Sequence, residues 1–314
     1  MQLAGESVRF DARTMLFIAL GITTAIYVAI LIVGLQRAKR DRVDEGAAWM
    51  PWLLVTGFVT NFFDTLGIGS FATTTSIFRH WRLVRDEQIP GTLNVGHTLP
   101  TIVQAFIYTQ LVPVDSRTLI LMIVAAVLGA WLGAGVVASW PRRRVQIGMG
   151  TALIGAAMLM ELSQLHGLTA GGALLGLSGG RLAFAVAVNF ALGVLMTIGI
   201  GLYAPCMILI SLLGMNPTTA FPIMMGSCAF LMPVASARFV RAKCFDRRAS
   251  IGLFVGGIPA VLIAAFIVKH LPLTAVRWLV VIVVLYTATN LLRTAYRERA
   301  AAGLAPSPKP EVAT

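Results

Sequence analysis

Asp64, Ser70, Thr73, Thr74 and Thr75 surround the triplet Gly67-Ile68-Gly69 in an otherwise apolar run, FFDTLGIGSFATTTSIFRHW, over residues 62–81. A second run over residues 194–213, VLMTIGIGLYAPCMILISLL, repeats Thr-x-Gly-Ile-Gly and follows it with Pro205 and Cys206. Glycine adopts backbone conformations closed to other residues, so a Gly-x-Gly inside an apolar helix marks a break. The half-helix that restarts after the break presents unpaired N–H groups and the positive end of its dipole, which together favour an anion. Hydroxyls on Ser70, Thr73 and Thr74 add donors. The pattern assigns a substrate-binding set for an anion. Gly67, Gly69, Ser70, Thr73, Thr74, Asn94 and His97 come from the first half, and Gly199, Gly201, Cys206 and Ser227 from the second.

Two ionisable residues, Asp64 beside this set and His97 within it, lie at membrane depth, where such groups are expensive and mark function by default. Asp64 precedes the first break, and either holds the hairpin by accepting from backbone N–H groups or relays protons. His97 either carries a proton or satisfies a core hydrogen bond. If it faces the site, its charged form strengthens anion binding. Transport then falls as pH rises from about 6 to 8, and His97→Gln flattens the profile. A third acid, Glu161, reads as interfacial. Cys206, Cys228 and Cys244 show neither metal nor disulfide spacing. No cofactor is implied, and no Walker sequence appears, as expected for transport without ATP. Ser70 and His97 lack the Gly-x-Ser-Gly setting of an intramembrane serine protease, so an enzyme is a poor reading. A channel of the same fold is the nearer rival.

Positioning these residues takes helices. The 314-residue chain is 57% apolar and 12% charged, with a mean hydropathy of +0.83. A soluble domain does not hide that much apolar surface, so the chain reads as an all-α polytopic membrane protein. Its net charge of +12 does not form one nucleic-acid face. Of 25 Lys and Arg, 19 fall in bursts at 37–42, 79–85, 142–144, 238–248 and 293–299 or at Lys309. Bursts spaced this way read as cytoplasmic loops.

Apolar segments fall at 14–36, 49–80, 90–112, 118–139, 145–163, 182–213, 218–240, 249–269 and 275–292. The two broken ones, 49–80 and 182–213, are too short for two full spans of about 20 residues. They read as re-entrant hairpins, and that reading keeps every basic burst on one side. A shift of 132 pairs Phe58 with Phe190, Thr65 with Thr197, Gly67 with Gly199, Gly69 with Gly201 and Pro90 with Pro222. Each half is a hairpin plus three crossings. Three is odd, so the expected architecture is an inverted repeat, with the substrate held where the two breaks meet. The expected organisation is an N-terminal transmembrane helix and basic cytoplasmic loop (1–48), repeat 1 (49–163), an external linker (164–181), repeat 2 (182–299) and a disordered cytoplasmic tail (300–314). The N-terminus is expected outside and the C-terminus in the cytoplasm of an inner-membrane protein.

At Phe62-Phe63-Asp64, Gly67-Ile68-Gly69, Asn94, Ala105 and Tyr108 the sequence resembles the sulfite exporter TauE/SafE family of membrane permeases, over roughly 49–292. That resemblance implies secondary export of sulfite or an organosulfonate or other sulfur oxyanion. The implied partners are the small anionic substrate and the lipid bilayer, with proton coupling left open and no oligomeric state specified.

Overall fold

The computed structural model describes residues 12–40, 48–137, 142–165, 172–196 and 201–303. Among them run eleven α-helices: α1 (Ala12–Arg40), α2 (Met50–Thr65), α3 (Ser70–His80), α4 (Ile89–Leu111), α5 (Ser116–Val137), α6 (Arg142–Leu165), α7 (Gly179–Met196), α8 (Tyr203–Leu212), α9 (Ala220–Arg241), α10 (Arg247–Lys269) and α11 (Leu273–Gly303). One 3-10 turn, Pro217–Thr219, leads into α9. Among the described residues, five helices are long and apolar enough to cross a membrane. The distribution of side chains fits that environment. Trp131, Phe266 and Met158 on the outside are each about two-thirds exposed, whereas Asn61, Asp64, His97, Gln104 and Ser227 are buried. A chain folded for water does the reverse.

The molecule has two ends. At one, the C-terminal part of α1 lies against α9, where a Cβ on Gly34 would collide with Val240. The start of α4 joins them there, because the amide of Asp246 donates to Thr92 Oγ1 at 2.8 Å. At the other, Arg13 donates to the carbonyl of Val114 and the amide of Asp115 donates to the carbonyl of Leu175. The bursts at 37–42, 79–85 and 238–248 begin or lie at the first end.

Both broken segments turn back within the bundle. Trp52 near the start of α2 and Trp81 just after α3 bring their rings to 5.6 Å, so this hairpin enters and leaves at the basic end. The second hairpin opens at the other end, where Leu174 pairs with Met215 and accepts from the amide of Asn216. The returning limbs α3 and α8 have 11 and 10 residues. At 1.5 Å per residue each is about 15 Å long, half the thickness of a hydrocarbon core of about 30 Å.

Packing partners exchange between the halves. The first limb α2 packs on α10, and the corresponding limb α7 packs on α5; α4 lies on α9 and α6 on α11. Glycines set the closeness of the limb contacts. A Cβ on Gly256 would meet the carbonyl oxygen of Leu54, and one on Gly193 that of Ala126, so the backbones touch. This small-residue packing is the usual way for helices to associate in lipid, where hydrophobic drive between them is lacking. A buried asparagine fastens each pair: Asn61 Nδ2 donates to the carbonyl of Leu253 at 3.4 Å, and Asn189 Nδ2 to that of Met122 at 2.7 Å.

Element ends differ modestly from those read in the sequence. Helix α6 reaches Leu165 and α7 begins at Gly179, so the linker is shorter than 164–181. Helix α11 continues to Gly303, past Ala300 where the tail was expected to begin, because its four residues Ala300–Gly303 add alanines rather than a breaker until Gly303. Residues 304–314 lie outside the described residues, as does the break residue Gly199.

Candidate functional site

The first break is a helix end followed directly by a helix start. The amide of Ile68 donates to the carbonyl of Phe63, and that of Gly67 to the carbonyl of Asp64. This paired arrangement closes α2 and needs a left-handed residue at its second position. Gly67 supplies it with φ +96°, and Gly69 follows at φ +87° before α3 starts. Both glycines are there for backbone conformation.

Asp64 then reaches across the break. Its Oδ1 accepts from the amide of Ser70 at 2.6 Å, occupying a free donor at the start of α3. Its Oδ2 accepts from Gln104 Nε2 on α4 at 2.9 Å. The same Nε2 donates to Thr65 Oγ1 at 2.9 Å, and Tyr203 O–H on α8 donates to Gln104 Oε1 at 3.3 Å. Since the Thr65 hydroxyl hydrogen is committed to the carbonyl of Asn61, Thr65 Oγ1 must accept, which fixes the way round of the Gln104 amide. One chain of hydrogen bonds thus joins the two hairpins: Asp64, Gln104, Tyr203.

A cavity of about 70 Å³ lies where the hairpins meet. Asp64, Gly69 and Ser70 line it from the first, and Gly201, Leu202, Tyr203 and Ala204 from the second. Thr101, Met196, Cys228, Met232 and Thr287 complete most of its wall. A buried water needs about 10–15 Å³ of such space, so there is room for several waters or one small polyatomic anion. Asp64 is the one acidic or basic side chain among the described lining residues. The start of α8 carries no side-chain cap, and Tyr203 and Ala204 there border the cavity. Thr287 Oγ1 is buried with no hydrogen-bond partner, an orphan on the cavity wall.

The sequence-derived set divides around this cavity. Ser70, Gly69, Gly201 and Asp64 border it. Gly67 is packed behind the break, where a Cβ would meet Met207 Sδ. Thr73 donates back to the carbonyl of Ser70 at 2.8 Å, and Asn94 Nδ2 to that of Pro90 at 2.9 Å. Ser227 spends its hydroxyl on the carbonyl of Ile223 at 2.7 Å, and Cys206 is buried inside α8. None of these five, nor Thr74 or His97, is among the described lining residues.

His97 occupies a separate polar layer. Its Nδ1 lies 3.0 Å from Asn61 Oδ1, and its Nε2 lies 3.0 Å from Thr74 Oγ1. Asn61 Nδ2 is pointed by the carbonyls of Gly57 and Leu253, so Oδ1 must face the histidine. Nδ1 therefore carries the hydrogen and Nε2 accepts from Thr74. The neutral ring is fully satisfied, and it ties α2, α3 and α4 together. Sequence reasoning missed Gln104, Thr101, Tyr203 and Thr287. Gln104 lies two turns along the same helical face as His97 (i, i+7) and was legible as a polar residue in an apolar span; Thr287 had no signal.

Comparison with known proteins adds one match. Residues 4–160, half of the chain, match the family described as Sulfite exporter TauE/SafE. The match takes in α1, which the sequence reading set in front of the related region, and ends within α6. Neither the curated proteins nor the solved structures give a match.

Proposed function

The chain belongs to the sulfite exporter TauE/SafE family, and from that premise we propose that it is a secondary transporter that binds a small sulfur oxyanion between its two hairpin tips. The observation that carries this reading is the shared cavity: two broken helices, opening at opposite ends, bring Ser70 and the uncapped start of α8 to one place. The exchange of packing partners between the halves supports an inverted repeat, the arrangement that exposes one site alternately to two sides. The grouping of the basic bursts supports a cytoplasmic basic end in an inner membrane, with the N-terminus outside. The protein is read as a permease rather than an enzyme.

The carboxylate on the wall bears on coupling. An anion beside ionised Asp64 is repelled, and the amide of Ser70 at Oδ1 and Gln104 Nε2 at Oδ2 hold Asp64 as an acceptor at both oxygens. Proton binding to Asp64 removes the charge and requires an acceptor for the new O–H. Turning the Gln104 amide over supplies Oε1 to Asp64 and Nε2 to the oxygen of Tyr203. The Tyr203 hydrogen, previously held by Gln104, is then released to the cavity as a donor. Proton and anion thereby enter together. Tyr203 and Cys228 are the other titratable groups of the described wall. For a doubly charged anion the pair still carries one negative charge, driven outward by about 2.3 kcal/mol per 100 mV.

The test is sulfite flux in proteoliposomes with Gly201→Leu. Gly201 lines the cavity and a Cβ there meets nothing within 4 Å, so a side chain is added at the site without a clash at its first atom. Flux is expected to stop while the thermal midpoint stays at the wild-type value. Wild-type flux in this variant overturns the site.

A further inference from the structure

A second and larger cavity, about 330 Å³, lies on the outside of the bundle between α1 and α9, at the basic end. Its floor is apolar, with Ile30 and Val33 on α1 and Val240 on α9, and Arg37, Arg241 and Lys243 stand on its rim. The helices touch at Gly34, where even a Cβ would strike Val240, and the space opens beside that contact. Arg37 and Arg241 are exposed, and no acidic side chain is among its described lining residues. Lys243 sits at φ +53°, a left-handed position closing α9 where glycine is the favoured residue. A charged side chain is thus carried at a place where backbone geometry argues for none.

We propose that this groove holds an acidic phospholipid, with one acyl chain along Ile30, Val33 and Val240 and the phosphate between Arg37 and Arg241. The two halves of the groove match the two halves of such a lipid. An apolar slot alone takes any acyl chain, and surface cations alone take any anion. The groove joins them at the depth where a headgroup meets its chains, and basic pockets between membrane helices favour acidic headgroups. Bound lipid would add a clamp between α1 and α9 beside their close contact at Gly34. Nothing here depends on the anion site between the hairpins.

The experiment is native mass spectrometry of the full-length protein in detergent, titrated with phosphatidylglycerol or with phosphatidylcholine of the same chains. Arg37→Gln with Arg241→Gln is the main variant. Each basic residue near a membrane surface contributes about 1 kcal/mol toward an acidic lipid, or about fivefold. The double variant is expected to bind phosphatidylglycerol about 25-fold more weakly, on the same constant, with phosphatidylcholine unchanged. Ala29→Trp, on the exposed wall of α1, fills the groove with its charges intact and is expected to weaken phosphatidylglycerol as well. Three results overturn the proposal: equal phosphatidylglycerol binding by wild type and both variants, phosphatidylcholine binding as tight as phosphatidylglycerol, or soluble glycerol phosphate binding as tight as the lipid. The last identifies a free-anion site.

Discussion

Replacing Asp64 separates its structural task from its part in coupling. In Asp64→Ala the amide of Ser70 loses its 2.6 Å acceptor and Gln104 loses its 2.9 Å acceptor, both inside the bundle. Leaving a buried donor unpaired costs about 1–3 kcal/mol, so the alanine variant is expected to lose about 2–6 kcal/mol. Asp64→Asn keeps an oxygen for Ser70 but points an amide nitrogen at the nitrogen of Gln104. Turning Gln104 over resolves that clash, at the loss of its bond to Thr65, which is worth about 1 kcal/mol. The turned state is the one assigned to protonated Asp64. The asparagine variant is therefore expected to fold, to transport, and to lose the dependence of flux on pH. Thermal midpoints of purified protein in detergent give the first comparison. Sulfite flux in proteoliposomes over about pH 5–8 gives the second, a range in which buried carboxyls and histidines titrate. An asparagine variant as unstable as the alanine variant refutes the hydrogen-bond reasoning. One with wild-type pH dependence refutes the coupling through Gln104.

Other outcomes follow from the same geometry. His97→Leu is expected to cost about 1–3 kcal/mol, by stranding Asn61 Oδ1, and His97→Gln to leave the pH profile of flux in place; a flattened profile in a stable variant puts His97 back in the transport site. Thr287→Val removes an orphaned hydroxyl, so stability is expected to hold while sulfite affinity falls by about fivefold, the worth of one hydrogen bond of about 1 kcal/mol. Gly256→Leu is expected to abolish folded protein in the membrane, since its Cβ would meet the Leu54 carbonyl, and normal expression contradicts backbone contact between α2 and α10. Single cysteines at positions 82 and 241 are expected to be protected from an external reagent to which position 175 reacts; labelling at 82 alone contradicts the first hairpin.

The sequence by itself determined the helical class, the breaks and the positions of most helices. Apolar run length and Gly-x-Gly are local properties: Gly67 and Gly69 read as breaks because their backbone angles are closed to other residues, whatever packs around them. It also named Asp64, Gly69, Ser70 and Gly201, residues adjacent to those breaks. Tertiary structure decided everything that depends on which neighbour a helix face meets at each level. Asn94, His97, Thr101 and Gln104 recur along one face of α4, yet His97 meets Asn61 and Thr74 while Thr101, further along, borders the cavity and Gln104 bridges Asp64 and Tyr203. In an all-round apolar bundle the polar residues do not mark a wet face. Each must find a partner somewhere inside, and the partner, which lies tens of residues away, fixes its role.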